Sequence, residues 1–177
     1  RKVPVDALYM AFHMCNRFHA EYHVFDIITD LLSNGRSSRF IQTLVQEKKL
    51  FTSIDAYISG SLDEGLLHIT GKPASGITLE QAEEAVWQEL DKLKTIPVAE
   101  EELEKVKNRY ESEQIFNNIN YLNVATNLAF FELLGHAEDI NLEVGKYRSV
   151  TVGQIQDTAC RTFVPENCNI LYYKAIK

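Results

Sequence analysis

The chain has 177 residues, 45% of them hydrophobic and 24% charged, with a formal charge of −7. This length can bury a core without disulfide or metal staples, and the acid excess argues against the basic face of a nucleic-acid binder. No run reaches the roughly 18 apolar residues of a membrane helix, and Cys15, Cys160 and Cys168 form neither a CxxC pair nor a disulfide framework.

The three cysteines are expected as reduced core residues. Residues 1–4 offer no initiator Met and open no signal peptide, so the chain is expected to be a piece of a longer protein. A soluble domain, cytoplasmic or periplasmic, is the expectation. Residues 5–14, bounded by Pro4 and Asn16, are apolar and aromatic and predict a strand. Residues 16–20 form a polar connection. A helix follows over 21–33, with Val24, Phe25, Ile27, Ile28, Leu31 and Leu32 inward and Asn34-Gly35 as its stop. Ser37 and Ser38 are candidate caps for a helix from Arg39, with Phe40, Ile41, Leu44 and Val45 as its apolar face and Lys48-Lys49 at its end.

Residues 52–59 and 66–71 alternate as two strands around the turn formers of 60–65, a hairpin. Thr78 and Gln81 have capping-box spacing for a helix over 79–94. An acidic helix spans about 99–113, with Leu103, Val106 and Tyr110 as a narrow stripe. Residues 117–134 predict a helix burying Leu122, Ala125, Leu128, Ala129 and Phe131 to Leu133, stopped by Gly135. A shorter helix covers 139–148. Thr151 and Gln154 repeat the capping box for a helix to about Phe163, and 169–175 read as a last strand. Strands at both ends with helices between them predict an α+β fold: one mixed or antiparallel sheet with helices on one face. With no internal linker or repeat, residues 1–177 are expected as a single domain.

Three features stand in order: a helix ending in Gly35, then Ser37-Ser38-Arg39, then Gln46 to Leu50 before a strand. Further on come Glu100-Glu101-Glu102-Leu103 with Lys105 and Lys107, Glu132-Leu133-Leu134-Gly135, and Thr151-Val152. This ordered set resembles the non-catalytic domain of pitrilysin-family (insulinase-type) zinc metallopeptidases. The resemblance implies a four-domain clamshell around a peptide chamber. A zinc-bearing domain on the same polypeptide would be one partner. The second half of the clamshell, from the same chain or another subunit, would be the other, with peptides as substrates. Zinc would belong to the catalytic domain of the parent protein. The alternative is a scaffold or assembly module of the same fold without peptidase activity.

The family's His-x-x-Glu-His motif is absent from the sequence around His13, His19, His23, His68 and His136. His19 and His23 are four apart, but Glu21 would lie about 200° round a helix from either. They are expected as solvated imidazoles at a polar helix start. His13 and His68 are expected as ordinary strand residues. Counting from Arg39, the family's substrate-holding Arg and Tyr fall on Val45 and Thr52, which cannot supply a guanidinium fork. Gly35, Ser37, Ser38 and Arg39 are expected to be structural: a cap, with Arg39 anchoring neighbouring carbonyl groups. A chamber-lining loop is the other reading of the same residues. No catalytic or metal-ligating residue is expected in this chain.

Overall fold

The structure is a computed structural model and describes residues 5–60 and 62–175; Pro4, named above as a strand bound, and Ser61, within the expected turn over 60–65, lie outside them. Four strands form one antiparallel sheet in the order β2-β3-β1-β4: β1 (Ala7–Met14), β2 (Phe51–Ile58), β3 (Gly65–Pro73) and β4 (Cys168–Tyr173). The hairpin β2–β3 pairs Tyr57 with His68, and β1 takes the centre, pairing Tyr9 with Thr70 on one side and with Leu171 on the other. Alternation along β1 sends Leu8, Met10, Phe12 and Met14 into the core, and Tyr9 and His13 to the opposite face.

Helix α1 (Tyr22–Ser33) covers the core face, burying Ile27, Ile28, Leu31 and Leu32. Each such side chain contributes about 1.5–3 kcal/mol of burial. Helix α2 (Leu79–Thr95) and α6 (Val152–Thr162) pack together beside it. Both open on complete capping boxes, Thr78 with Gln81 and Thr151 with Gln154. Phe12 and Phe163 meet edge to face at 5.1 Å between these layers. Helix α3 (Glu100–Asn117) buries Leu103 and Val106 and runs four residues beyond its expected end.

The helix expected from Arg39 closes into a π-helix over Ile41–Glu47, where Lys48 N–H bonds Thr43 O. Phe40 and Leu44 are fully buried, and the widened turn ends with Lys49 at φ 53°. The cysteines depart from expectation: all three are free, but Cys160 is exposed, and Cys15 and Cys168 are only half-buried at strand ends.

The largest departure is α4 (Tyr121–Leu134), which buries no residue. Val124, Asn127, Phe131 and Leu134 face the body of the protein and are half-buried. Leu122, Ala125, Leu128, Ala129 and Leu133, expected in the core, face solvent. The cause is position. The helix stacks on α5 (Ile140–Ser149) and the short turn before it, a layer removed from the sheet.

Candidate functional site

Residues 34–39 are held by one face of α3. Glu102, Lys105 and Arg109 are spaced three and four apart, so they lie along that face. Arg39 donates Nε–H to Glu102 Oε1 at 3.0 Å and Nη2–H to Oε2 at 2.8 Å, a two-pronged pair. Lys105 Nζ donates to Ser37 Oγ at 2.5 Å, and Arg109 Nη1 to Asn34 O at 2.6 Å. Gly35 sits at φ 96°, and a Cβ there would lie 3.2 Å from Arg109 Nη1. Ser38 Oγ donates to Gly35 O at 2.7 Å. Ser38 stands at the expected helix start, its carbonyl accepting the Gln42 N–H, but its hydroxyl turns back to Gly35 and caps no helical N–H, and Arg39 grips a carboxylate, not carbonyl groups. The opposite charges at matching helical spacing were the signal for this clamp.

Val45 lies half-buried on the π-helix against the core. Thr52 is the unpaired residue of a β-bulge between Phe51 and Ser53, where its Oγ1 donates to Lys72 O at 3.1 Å. Beside it Gly71 makes room for the Phe51 ring, since a Cβ there would lie 2.5 Å from Cε1.

The expected solvated histidine pair is also corrected. His19 is exposed, but His23 is buried, its Nε2 3.3 Å from Glu143 Oε2. Arg17 Nη2 donates to the same oxygen at 3.3 Å, and Lys146 Nζ to Oε1 at 2.7 Å. Arg17 also lies over the Tyr22 ring at 4.4 Å. Burial pushes the Glu143 carboxyl up, but hydrogen bonds from His23 and Lys146 and the nearby Arg17 charge outweigh it, bringing it down to about 2. The Tyr147 hydroxyl donates to Asp26, and the Tyr147 ring stacks on Tyr110 at 3.5 Å. Burial raises both Asp26 and Tyr147. Burial also raises Asp30 to about 6, against the pull of Arg109. Among the described residues no three His, Cys, Asp or Glu side chains converge as metal ligands. Sequence periodicity cannot reveal this cluster, because α1 meets α5 only in the fold.

The sheet face opposite the helices remains open. Tyr9, Tyr57 and Leu171 are 40–60% exposed there, in neighbouring register with His13, His68, Thr70 and Tyr173. The Tyr57 and His68 rings stack at 5.0 Å, and Tyr9 meets Tyr173 edge to face at 6.5 Å. A hollow of about 370 Å³ opens on this side of the sheet between Tyr9, Ser53, Asp55, Tyr57, Thr70 and Lys72. Both flanking strands, β2 and β4, are sheet edges.

The family profile described as the inactive domain of peptidase M16 matches residues 1–110, well over half of the chain. The chain belongs to the peptidase M16 family, as its inactive domain. The pitrilysin-type resemblance is thereby borne out, as is the α+β fold. A protease from Helicobacter pylori has a similar fold at TM-score 0.91 and 19% identity, over 97% of this chain and 42% of that one. The inactive peptidase domain of a candidate zinc protease from Bordetella parapertussis gives 0.87 at 18% identity, over 100% and 97%. A chain of Complex III2 from Candida albicans gives 0.80 at 16%, over 97% and 43%. At these identities the likeness establishes the fold. This M16 domain spans about two fifths of the Helicobacter protease. No curated protein matches the sequence, and no helix among the described residues is long and apolar enough to cross a membrane.

Proposed function

We propose that residues 1–177 are one non-catalytic domain that walls the peptide chamber of a zinc-dependent metalloendopeptidase. The observation that carries this reading is the open sheet face. Its tyrosines, stacked imidazole and 370 Å³ hollow offer apolar contact together with hydrogen-bonding groups. The outer edge of β4 is of the kind that takes up an extended peptide, whereas that of β2 is closed at Ala56 by the Ser33 hydroxyl of α1.

In this reading the zinc and its catalytic residues stand on a partner domain of the same polypeptide, and the second half of the clamshell closes the chamber. Zinc there would polarise the attacking water and the peptide carbonyl. This domain binds and orients peptide. Val45 and Thr52, in the positions of the family's substrate-holding Arg and Tyr, leave that task to the other half, and the Gly35 to Arg39 clamp serves structure.

The second reading is a scaffold module without peptidase activity. It is favoured by the fold shared with a chain of Complex III2. Peptide hydrolysis by the parent protein separates the two. The chamber reading expects Leu171→Asp and Tyr57→Ala to raise KM with kcat nearly unchanged. Unchanged KM in both variants would remove the wall role, and an intact parent that cleaves no peptide would favour the scaffold.

A further inference from the structure

On the helical side of the domain, residues 17–20, α1, α4, α5 and the start of α6 surround a hollow of about 400 Å³. That volume lies within the range of about 300–1,000 Å³ that holds small molecules. Phe18, Val24, Phe131, Leu134 and Val150 supply apolar wall. Phe18 keeps 61% of its surface exposed beside it, which an occupant would cover.

The charged groups facing this hollow divide into engaged and unengaged ones. Asp139, Glu143 and Lys146 follow one another at four and three residues, so they lie along one face of α5. Glu143 is fully engaged: His23 and Arg17 meet its Oε2, and Lys146 meets its Oε1. Lys146 gives Glu143 one N–H and holds two more, and the guanidinium of Arg17 keeps further donors. The half-buried Asp139 carboxylate has no hydrogen bond or ion pair with any described residue. An occupant therefore meets an unanswered anion, cationic N–H donors one turn away, and apolar side chains around them.

We propose that this hollow binds a short apolar peptide by both of its free ends. The terminal ammonium sits at Asp139, the terminal carboxylate at Lys146 and Arg17, and the side chains lie against Phe18, Phe131 and Leu134. Length follows from spacing. Lys146 Nζ is drawn back to Glu143, one turn or about 6 Å along α5 from Asp139. Two residues of extended chain span about 7 Å, so a dipeptide reaches both charges. A single amino acid, with both charges on one Cα, does not. An apolar stretch inside a longer polypeptide has no terminal charges and would leave Asp139 unanswered. The site lies away from the open sheet face and needs no zinc, so it does not rest on the chamber reading.

Calorimetric titration of the 177-residue chain with leucyl-leucine tests it. The dipeptide should bind saturably. N-acetylation or C-terminal amidation should each weaken binding about tenfold or more, the loss of one charge-assisted hydrogen bond. Glycylglycine, with both charges but no apolar body, should bind at least as poorly as the blocked peptides. In Asp139→Asn the free and acetylated peptides should bind alike. Asp139 bonds no other side chain in the folded chain, so this variant keeps the fold, as its circular dichroism will report. Amide NMR signals of Phe18, Val24, Leu134 and Asp139 should move on titration, and those of β2 and β3 should not. Absence of binding, blocked peptides or glycylglycine binding as well as leucyl-leucine, an acetylation penalty that persists in Asp139→Asn, or shifts confined to the sheet each overturns the proposal.

Discussion

Replacing Glu143 by Gln tests the energetic centre of the helical layer. Glu143 is 6% exposed and receives hydrogen bonds from Arg17, His23 and Lys146. Its carboxyl lies at about 2 in the folded protein against an ordinary 4.5. Each unit is worth about 1.4 kcal/mol, so the ionised form stabilises the fold by about 3 kcal/mol. Because the folded value is depressed, that contribution is complete above pH 4.5 and is lost as pH falls through 2. Gln keeps the volume but removes the charge, leaving the largely buried Arg17 facing a neutral group. Urea unfolding at pH 7 should therefore place Glu143→Gln about 3 kcal/mol below the parent. The gap should shrink steadily below pH 4.5. A gap under about 1 kcal/mol at pH 7 would refute the reasoning, as would one that stays constant down to pH 3.

Gly35→Ala, at φ 96° and against Arg109 Nη1, should cost about 1–2 kcal/mol. An unchanged thermal midpoint would mean the turn tolerates a Cβ. A double-mutant cycle on Arg39→Ala and Glu102→Ala should give a coupling of about 1 kcal/mol, reflecting a part-buried, two-pronged pair. No coupling would remove the clamp. Carbon NMR should find Asp30 titrating near 6, and Arg109→Gln should move the midpoint upward by removing the cation that holds it down. Since the folded value is raised, ionised Asp30 opposes folding at neutral pH, and that penalty is relieved as pH falls through 6 towards 3.8. An unshifted midpoint in Arg109→Gln would contradict the pairing.

Local chemistry made much of the fold legible. The capping boxes at Thr78 and Thr151 fix two helix starts from four residues each, and the turn formers before Gly65 fix the hairpin. Alternation in β1 gives the core face directly. What sequence could not supply was whatever depends on distant partners. His23 looks like a surface residue until Glu143 is brought beside it. Arg39 looks like a loop cation until α3 lies across it. The apolar period of residues 117–134 predicts a helix, which starts four residues later at Tyr121, but misassigns its environment, because apolarity does not say whether the cover comes from the same core or from another surface. The π-helix leaves no sequence mark, since one widened turn shifts register without changing composition. Val45 and Thr52 were identifiable only by counting from Arg39. The open sheet face, formed by residues from all four strands, had no linear motif at all.

The place of β1 between β3 and β4 bears on biosynthesis. Ala7 pairs with Tyr173, and Phe12 with Cys168, so one flank of the central strand waits until β4, the last strand of the domain, has left the ribosome. Meanwhile β1 can join the β2–β3 hairpin and hold a three-stranded nascent sheet with an unclaimed apolar border. Pairings this remote in sequence form slowly, and such borders invite wrong partners. Chaperone dependence during translation, relieved once Cys168 to Tyr173 has emerged, is the consequence to look for.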